Sequence, residues 1–190
     1  MGSYTGIADV SRSILELLRN KCAPEPIKKA ETIGLCAPND RGNNILGLYL
    51  YNIEENPESY SQKKIVLDKE HFKDAPISFN LYYMIYAFSE SEVNAKLIDE
   101  QRILGKAIQV LNDYKRVPSE YLMGTFAESN EIIELQSIMM PVDDRVKVWS
   151  LFNLPYHISY FYKVGPIFME SDVIRSVKRV TSADISVTQK

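Results

Sequence analysis

The run ISFNLYYMIYAF, residues 77–88, limits what this chain can fold into more than any other stretch. In an extended strand, alternate residues face opposite ways. Ile77, Phe79, Leu81, Tyr83 and Ile85 then share one face, and the other carries Ser78, Asn80, Tyr82, Met84 and Tyr86. Both faces are largely apolar, which predicts a central strand covered on both sides. Two more runs have the same character, ILGLYLYNI at 45–53 and PYHISYFYKVGPIF at 155–168, and most of the 12 tyrosines lie in or beside the three. Tyrosine combines large apolar area and few rotatable bonds with one polar tip, a chemistry suited to burial against other proteins.

Helical periodicity surrounds these strands. Ile7, Val10, Ile14, Leu17 and Leu18 recur at spacings of three and four and predict a helix over 6–20, with Thr5 as its cap and Pro24 and Pro26 beyond its end. A turn-rich loop leads to the first strand, where Leu46, Leu48 and Leu50 point one way and Gly47, Tyr49, Tyr51 and Ile53 the other. Residues 54–75 are polar and read as an exposed excursion with a short strand at KIVLD. A second helix is predicted over 91–113, with Ser89 and Glu92 as a capping box and an apolar stripe of Val93, Leu97, Leu104, Ala107, Ile108 and Leu111. A strand is expected within 131–140. A short helix then opens at Pro141, with Asp143 and Asp144 near its positive end and Val142, Val146 and Trp149 on its inner face. Residues 171–190 read as a last strand or arm. The expected class is α/β (α+β): one domain over 1–190, with a mixed or antiparallel central sheet of about four to six strands packed against two main helices.

Composition excludes several functions. With 22 basic and 25 acidic residues and a net charge of −3, the chain offers no basic face for nucleic acid. Arg175, Lys178 and Arg179 follow Glu170 and Asp172 in a mixed, solvated segment. Cys22 and Cys36 match no zinc spacing and are expected as reduced thiols. No apolar run reaches the roughly 20 residues of a membrane helix, and no secretory signal is expected. Phosphate-loop, dinucleotide and nucleophile-elbow motifs are absent from the sequence. His71 falls in the excursion, and His157 alternates outward with Ser159 and Lys163, so both are expected as surface or contact residues. Adjacent helical positions splay Asp143 and Asp144 apart, which argues against a shared proton or metal. Glu100 projects into the apolar stripe of the second helix. Either it reaches water at the stripe's edge, or it is buried in a structural ion pair, since a lone buried carboxylate costs several kcal/mol. Gly105 in mid-helix is expected to mark close packing against the sheet.

The segments IADVSRSILELLRN, IGLCAPNDRGNNILGLYLYNIEEN, LYYMIYAFS, EQRILGKAIQVL and VWSLFNLPYHISYFYKVGPIFMES follow in this order. Together they resemble the tail-terminator (cap) proteins of phage-tail-like extracellular contractile injection systems of the antifeeding-prophage type, over about Ile7 to Ser186. Some members of that family carry further C-terminal sequence, whereas this chain stops at Lys190; any function of such an extension is expected to be absent.

The resemblance implies a tail-terminator-like α/β domain that forms a sixfold ring on the distal end of an inner tube. Such a ring contacts the last sheath layer, stops growth and holds the extended particle together. It implies no enzyme activity and no cofactor. The implied partners are further copies of the chain, the inner tube protein and the sheath protein, with neither nucleic acid nor membrane. Assembly in the bacterial cytoplasm and residence in the finished particle are implied as well. Candidate contacts are Tyr49, Tyr51, Tyr160 and Tyr162, with plain core packing as the open alternative, and Arg175 and Arg179. A strand edge near 61–68 or 180–187 is where a sheath arm would add. Two other readings stand beside this one: another ring component such as a tail-completion or baseplate adaptor protein, and a small-molecule-binding α/β domain with a pocket lined by Glu100, His157 and Tyr162.

Overall fold

In the computed structural model, which describes residues 4–56, 64–68, 70–129 and 131–176, the run at 77–88 lies in the middle of a sheet. The elements are α1 (Gly6–Cys22), β1 (Ile33–Leu35), β2 (Leu46–Glu55), β3 (Ile65–Val66), β4 (His71–Lys73), β5 (Ile77–Ala87), α2 (Val93–Asp113), α3 (Thr125–Ser129), β6 (Leu135–Ser137), α4 (Val142–Ser150), β7 (Ser159–Met169) and β8 (Ile174–Ser176). The large sheet has the order β1-β2-β5-β7-β6 and is mixed, since β1 pairs parallel to β2 and the other pairs are antiparallel. A small antiparallel sheet, β3-β4-β8, is built from the excursion and the chain's later residues. The architecture is the expected α/β one, with five strands in the central sheet.

Each face of β5 is covered by a different layer. On one side, Val10, Ile14, Leu17 and Leu18 of α1 and Ile103, Leu104, Ala107 and Leu111 of α2 pack on Leu46, Leu48, Leu81, Tyr83, Ile85 and Val164. The Tyr83 hydroxyl is buried with them and meets Ser11 Oγ at 2.7 Å, so the phenol keeps a partner inside the apolar layer. On the other side, Met84, Tyr86 and Phe161 of the sheet meet Trp149 of α4 and Phe152 just beyond it. Gly47 makes room here, because a Cβ at that position would sit 2.1 Å from the Tyr86 ring. The ring lies across the glycine, and its hydroxyl donates to the Cys36 carbonyl at 2.8 Å. At the outer margin of β1, Arg19 Nε donates to the Ile33 carbonyl at 3.0 Å.

α1 is further tied down by its own buried carboxylate. Asp9 accepts hydrogen bonds from Thr5 Oγ1, the Thr125 amide and Thr125 Oγ1 at 2.9, 3.2 and 3.2 Å. Gly124 has φ +56, and a Cβ there would run into the Asp9 carboxyl group at 2.4 Å, so glycine is required on two counts. Thr5 therefore acts through Asp9, and its side chain makes no hydrogen bond that caps the helix backbone.

Several local expectations are corrected by the structure. The register shifts between Leu50 and Asn52, so Tyr51 is an extra residue and Ile53 pairs with Leu81 on the α1/α2 side, where strict alternation had put it with the tyrosines. A second shift lies opposite Phe79 and Leu81, at Gly165-Pro166 of β7. α2 starts at Val93 with no side-chain cap; Ser89 Oγ donates to Asp99 instead. Leu97 is exposed, and among the described side chains of α2 the buried ones begin at Glu100. Gly105 faces open space, with nothing within 4 Å of the point where a Cβ would stand, so it does not pack against the sheet.

Gly105→Ala is therefore expected to stabilise the protein by about 0.5–1 kcal/mol, because a helical glycine loses backbone entropy and no contact is disturbed. Gly47→Ala is expected to destabilise it by about 1–3 kcal/mol by displacing Tyr86. Urea denaturation followed by circular dichroism measures both, and the opposite signs are the check.

Candidate assembly surfaces

The four candidate tyrosines are distributed over both layers. Tyr162 is buried with the α1/α2 core, its hydroxyl aimed at the Ile108 carbonyl 3.5 Å away, and desolvation pushes its phenol pKa up. Tyr160 is half-buried, with its ring 5.3 Å from that of Tyr162. Tyr49 and Tyr51 lie on the opposite face, half-buried, with rings edge-on to Phe152 at 5.2 Å and Phe161 at 5.5 Å. Burial, helped by Tyr82 and Glu54, raises the Tyr51 phenol to about 12. Core packing accounts for Tyr162; Tyr49, Tyr51 and Tyr160 each keep part of the ring in water. Arg175 lies on β8 and meets Asp74 at 3.0 Å, both exposed. Arg179 lies outside the described residues.

Glu100 is 1% exposed. Its Oε1 accepts the Ser89 amide at 3.1 Å, and its Oε2 makes no hydrogen bond but lies 3.4 Å from His157 Nε2. His157 Nε2 is also 2.8 Å from the Ala87 carbonyl. A carbonyl only accepts, so Nε2 must carry a hydrogen. The imidazole is stacked on Phe88, with centroids 4.6 Å apart and planes 13° apart, and edge-on to Trp149. The outward position expected for His157 is thus overturned. It precedes β7 and turns in under the aromatic layer, while Ser159, expected outside with it, is buried and accepts a hydrogen bond from Trp149 Nε1 at 2.9 Å. The alternation failed because the residues before β7 are not in the strand, and because α4 covers the face that alternation left to water.

α4 holds the largest surprise. Val142, Val146 and Trp149 do share one stripe, but only Trp149 is buried; Val142 is 62% exposed, Val146 43%, and Met139 just before the helix 99%. The helix is anchored at its C-terminal end and carries its apolar stripe outward past the sheet. A second apolar group is on the small sheet, where Ile65, Val66, Leu67, Val173 and Ile174 are all exposed. β3 and β8 are its outer strands. The sequence signal for these surfaces was present as apolar spacing, and only the tertiary packing reveals that none of the described residues covers them.

Among the described residues, no group of three or more His, Cys, Asp or Glu side chains is placed to hold a metal, and no helix is long and apolar enough to cross a membrane. Burial raises the Cys22 thiol to about 11, which makes it a poor nucleophile. Glu100 and His157 come together, but Tyr162 is on the far side of the sheet from His157, so the three do not line a common pocket.

Comparison with known proteins gives two matches of consequence. A family model described as the Pvc16 N-terminal domain matches residues 9–183. Among solved structures, the chain is similar to the PVC sheath/tube terminator in the extended state, from a cryo-EM structure of an extracellular contractile injection system, with a TM-score of 0.64 and 16% identity. That match covers 100% of this chain and 65% of the other, so this chain spans just under two thirds of the terminator's length. No curated protein matches the sequence. With the family match running through nearly every element of the fold, this chain belongs to the Pvc16 N-terminal domain family, the tail-terminator family that its sequence segments resemble.

Proposed function

We propose that this chain is a non-enzymatic, ring-forming terminator: copies of it close into a hexameric ring on the distal end of a contractile injection system, bind inner tube and sheath protein there, and end their growth. The observation that carries this reading is the apolar stripe of Met139, just before α4, with Val142 and Val146 on the helix, which none of the described residues covers. Water-exposed apolar groups in a row mark a surface that is buried in an assembly. A stripe on one side of a subunit that fits a different patch on the next makes a heterologous contact, and such contacts close into rings when the rotation between subunits permits. A ring has two unlike faces. One matches the end of the tube, and the other offers nothing that further tube subunits can use, so addition stops.

Sheath contact is assigned to the small sheet. Its outer strands β3 and β8 carry exposed apolar side chains, and among the described residues no further strand pairs with their outer sides, the arrangement for accepting one. The other expected edge, at 180–187, lies outside the described residues. Tyr49, Tyr51, Tyr160 and Arg175 stay as candidate contacts through their exposed parts. In this reading the protein is made and assembled in the bacterial cytoplasm and leaves it only as part of the finished particle.

Glu100 and His157 are assigned a structural role, an ion pair that fastens the N-terminal half of α2 to the segment before β7. The 3.4 Å approach and the burial of Glu100 support it. Removing one member of such a pair leaves the other desolvated and unpaired. In a double-mutant cycle of Glu100→Gln and His157→Gln, read by urea denaturation, the expected interaction energy is about 1 kcal/mol or more. Additive effects would remove the pair from the account.

For the terminator itself, Met139→Asp combined with Val146→Asp is expected to leave the monomer folded, because both sites are on the surface, and to abolish self-association by analytical ultracentrifugation. In producing cells, loss of the gene is expected to yield particles of uncontrolled length or none, seen by electron microscopy. Uniform, finished particles in its absence would refute the proposal, and electron microscopy of labelled copies separates a terminator from a baseplate component by position.

A further inference from the structure

We propose that the outward flank of α2 centred on Gly105 is the seat for α4 of a second copy of this chain, so that subunits join head to tail. The contact rests on the ring reading for the role of α4 and supplies the surface that α4 meets. At about 100° per residue, Leu97, Ile98, Gln101, Gly105, Ile108 and Gln109 fall within an arc of about 120°, turned away from the buried stripe of α2. None of the six carries a charge, and Leu97 and Ile98 are each more than half exposed. A helix that faces only water carries charged and polar groups there, and an uncharged flank with bare aliphatic side chains marks a contact. Gly105 sits in the middle of it. Glycine is the poorest helix former after proline, and no neighbouring group lies within 4 Å of the point where its Cβ would stand. Nothing inside the subunit needs the missing side chain, and its absence leaves a hollow that another helix can approach closely.

The α4 stripe has the shape and the charge for that hollow. Val142, Val146 and Ser150 form an i, i+4 row, all three open to water. Leu97, Gln101, Gly105 and Gln109 form a second such row on α2. Rows of this kind interdigitate when two helices cross at about −50° with axes about 8–10 Å apart, and a glycine in one row lets valines of the other reach the backbone. Beside the valines stands Asp143, without an ion pair among the described residues, since Lys147 is taken by Asp144 at 2.7 Å. Beside the glycine row stands Arg102, exposed, which helps to lower the pKa of Asp99 without forming an ion pair with it. An acid bordering one patch and a base bordering the other select the partner and fix the register. α2 and α4 lie on opposite faces of the sheet, so no subunit can bring its own two patches together. Each copy gives α4 to one neighbour and α2 to the other, a heterologous contact of the kind that closes into rings.

Sedimentation velocity of the full chain tests this contact. Gly105→Trp fills the hollow from the surface and is expected to leave the monomer folded by circular dichroism while weakening self-association at least about tenfold. Gly105→Ala, which favours the monomer's helix, is expected to weaken it about threefold. A Gly105→Trp chain and a chain with Met139→Asp and Val146→Asp are each expected to be monomeric alone. An equimolar mixture of the two is expected to give a one-to-one dimer and nothing larger, because one sound α2 seat and one sound α4 stripe remain. Asp143→Lys and Arg102→Glu are each expected to weaken association about fivefold, and both changes in one chain to restore it, a readout that stands even if Gly105→Trp folds poorly. Self-association untouched by Gly105→Trp, a mixture that stays monomeric or grows beyond a dimer, or a doubly reversed chain no better than either single one would each overturn the contact and leave the terminator reading with a ring built on other surfaces. A native chain that stays monomeric at about 100 µM would overturn it as well. Head-to-tail association, as described, of a chain that proves dispensable for finished particles would support the contact and refute the terminator reading alone.

Discussion

An eleven-residue strand that is apolar on both sides must be shielded twice, and a chain of this length has only a few elements with which to do it. α1 and α2 shield one side with aliphatic side chains, and the rings around Trp149 shield the other. At about 25 cal/mol per Å² of apolar area removed from water, leaving either side of β5 open would forfeit a large part of a small domain's net stability. Small concessions elsewhere serve that end. Gly47 gives up its side chain so that Tyr86 can lie flat over the strand, and Gly124 gives up its own so that Asp9 can hold the turn before α3 against α1.

Much of this was legible from residue spacing. α1, the body of α2 and the three long strands follow directly from periods of 3.6 and 2, because in those elements packing and propensity agree. What escaped were features set by the neighbouring strand or layer. The extra residue at Tyr51 reverses the sense of β2 beyond it, and nothing in ILGLYLYNI announces the shift. Ser89 and Glu92 have the spacing of a capping box, but Ser89 is engaged by Asp99 and Glu100, two acceptors that only the folded chain brings near. His157 was misplaced by extending a strand rhythm past the strand's first residue. Glu100 was visible as an anomaly in an apolar stripe, and the identity of the group facing it was not.

The candidate surfaces illustrate the same division. Val142 and Val146 were recognisable as apolar positions on a helix, but the direction of the stripe depends on where α4 is pinned, and Trp149 pins it at one end only. A helix so held has stability at its anchored turn and presents the remainder to whatever lies beyond the domain. The small sheet is comparable, since three short strands with exposed side chains on them are marginal alone. Both regions are stable enough to exist in one copy, and each has more to bury when a second protein is present. The fold is shared with the PVC sheath/tube terminator, and these two apolar groups are surfaces that the described residues of this chain leave open.

The margin of β1 has a consequence of its own. Its outward carbonyl at Ile33 is occupied by the Arg19 guanidinium, and the carbonyl at Cys36, where the strand leaves the sheet, by the Tyr86 phenol. An intruding polypeptide would find the Ile33 acceptor spent and would have to displace the Arg19 guanidinium to gain that bond. A strand added at this margin would first have to displace a charged side chain, which makes the β1 flank a poorer template for edge-to-edge stacking.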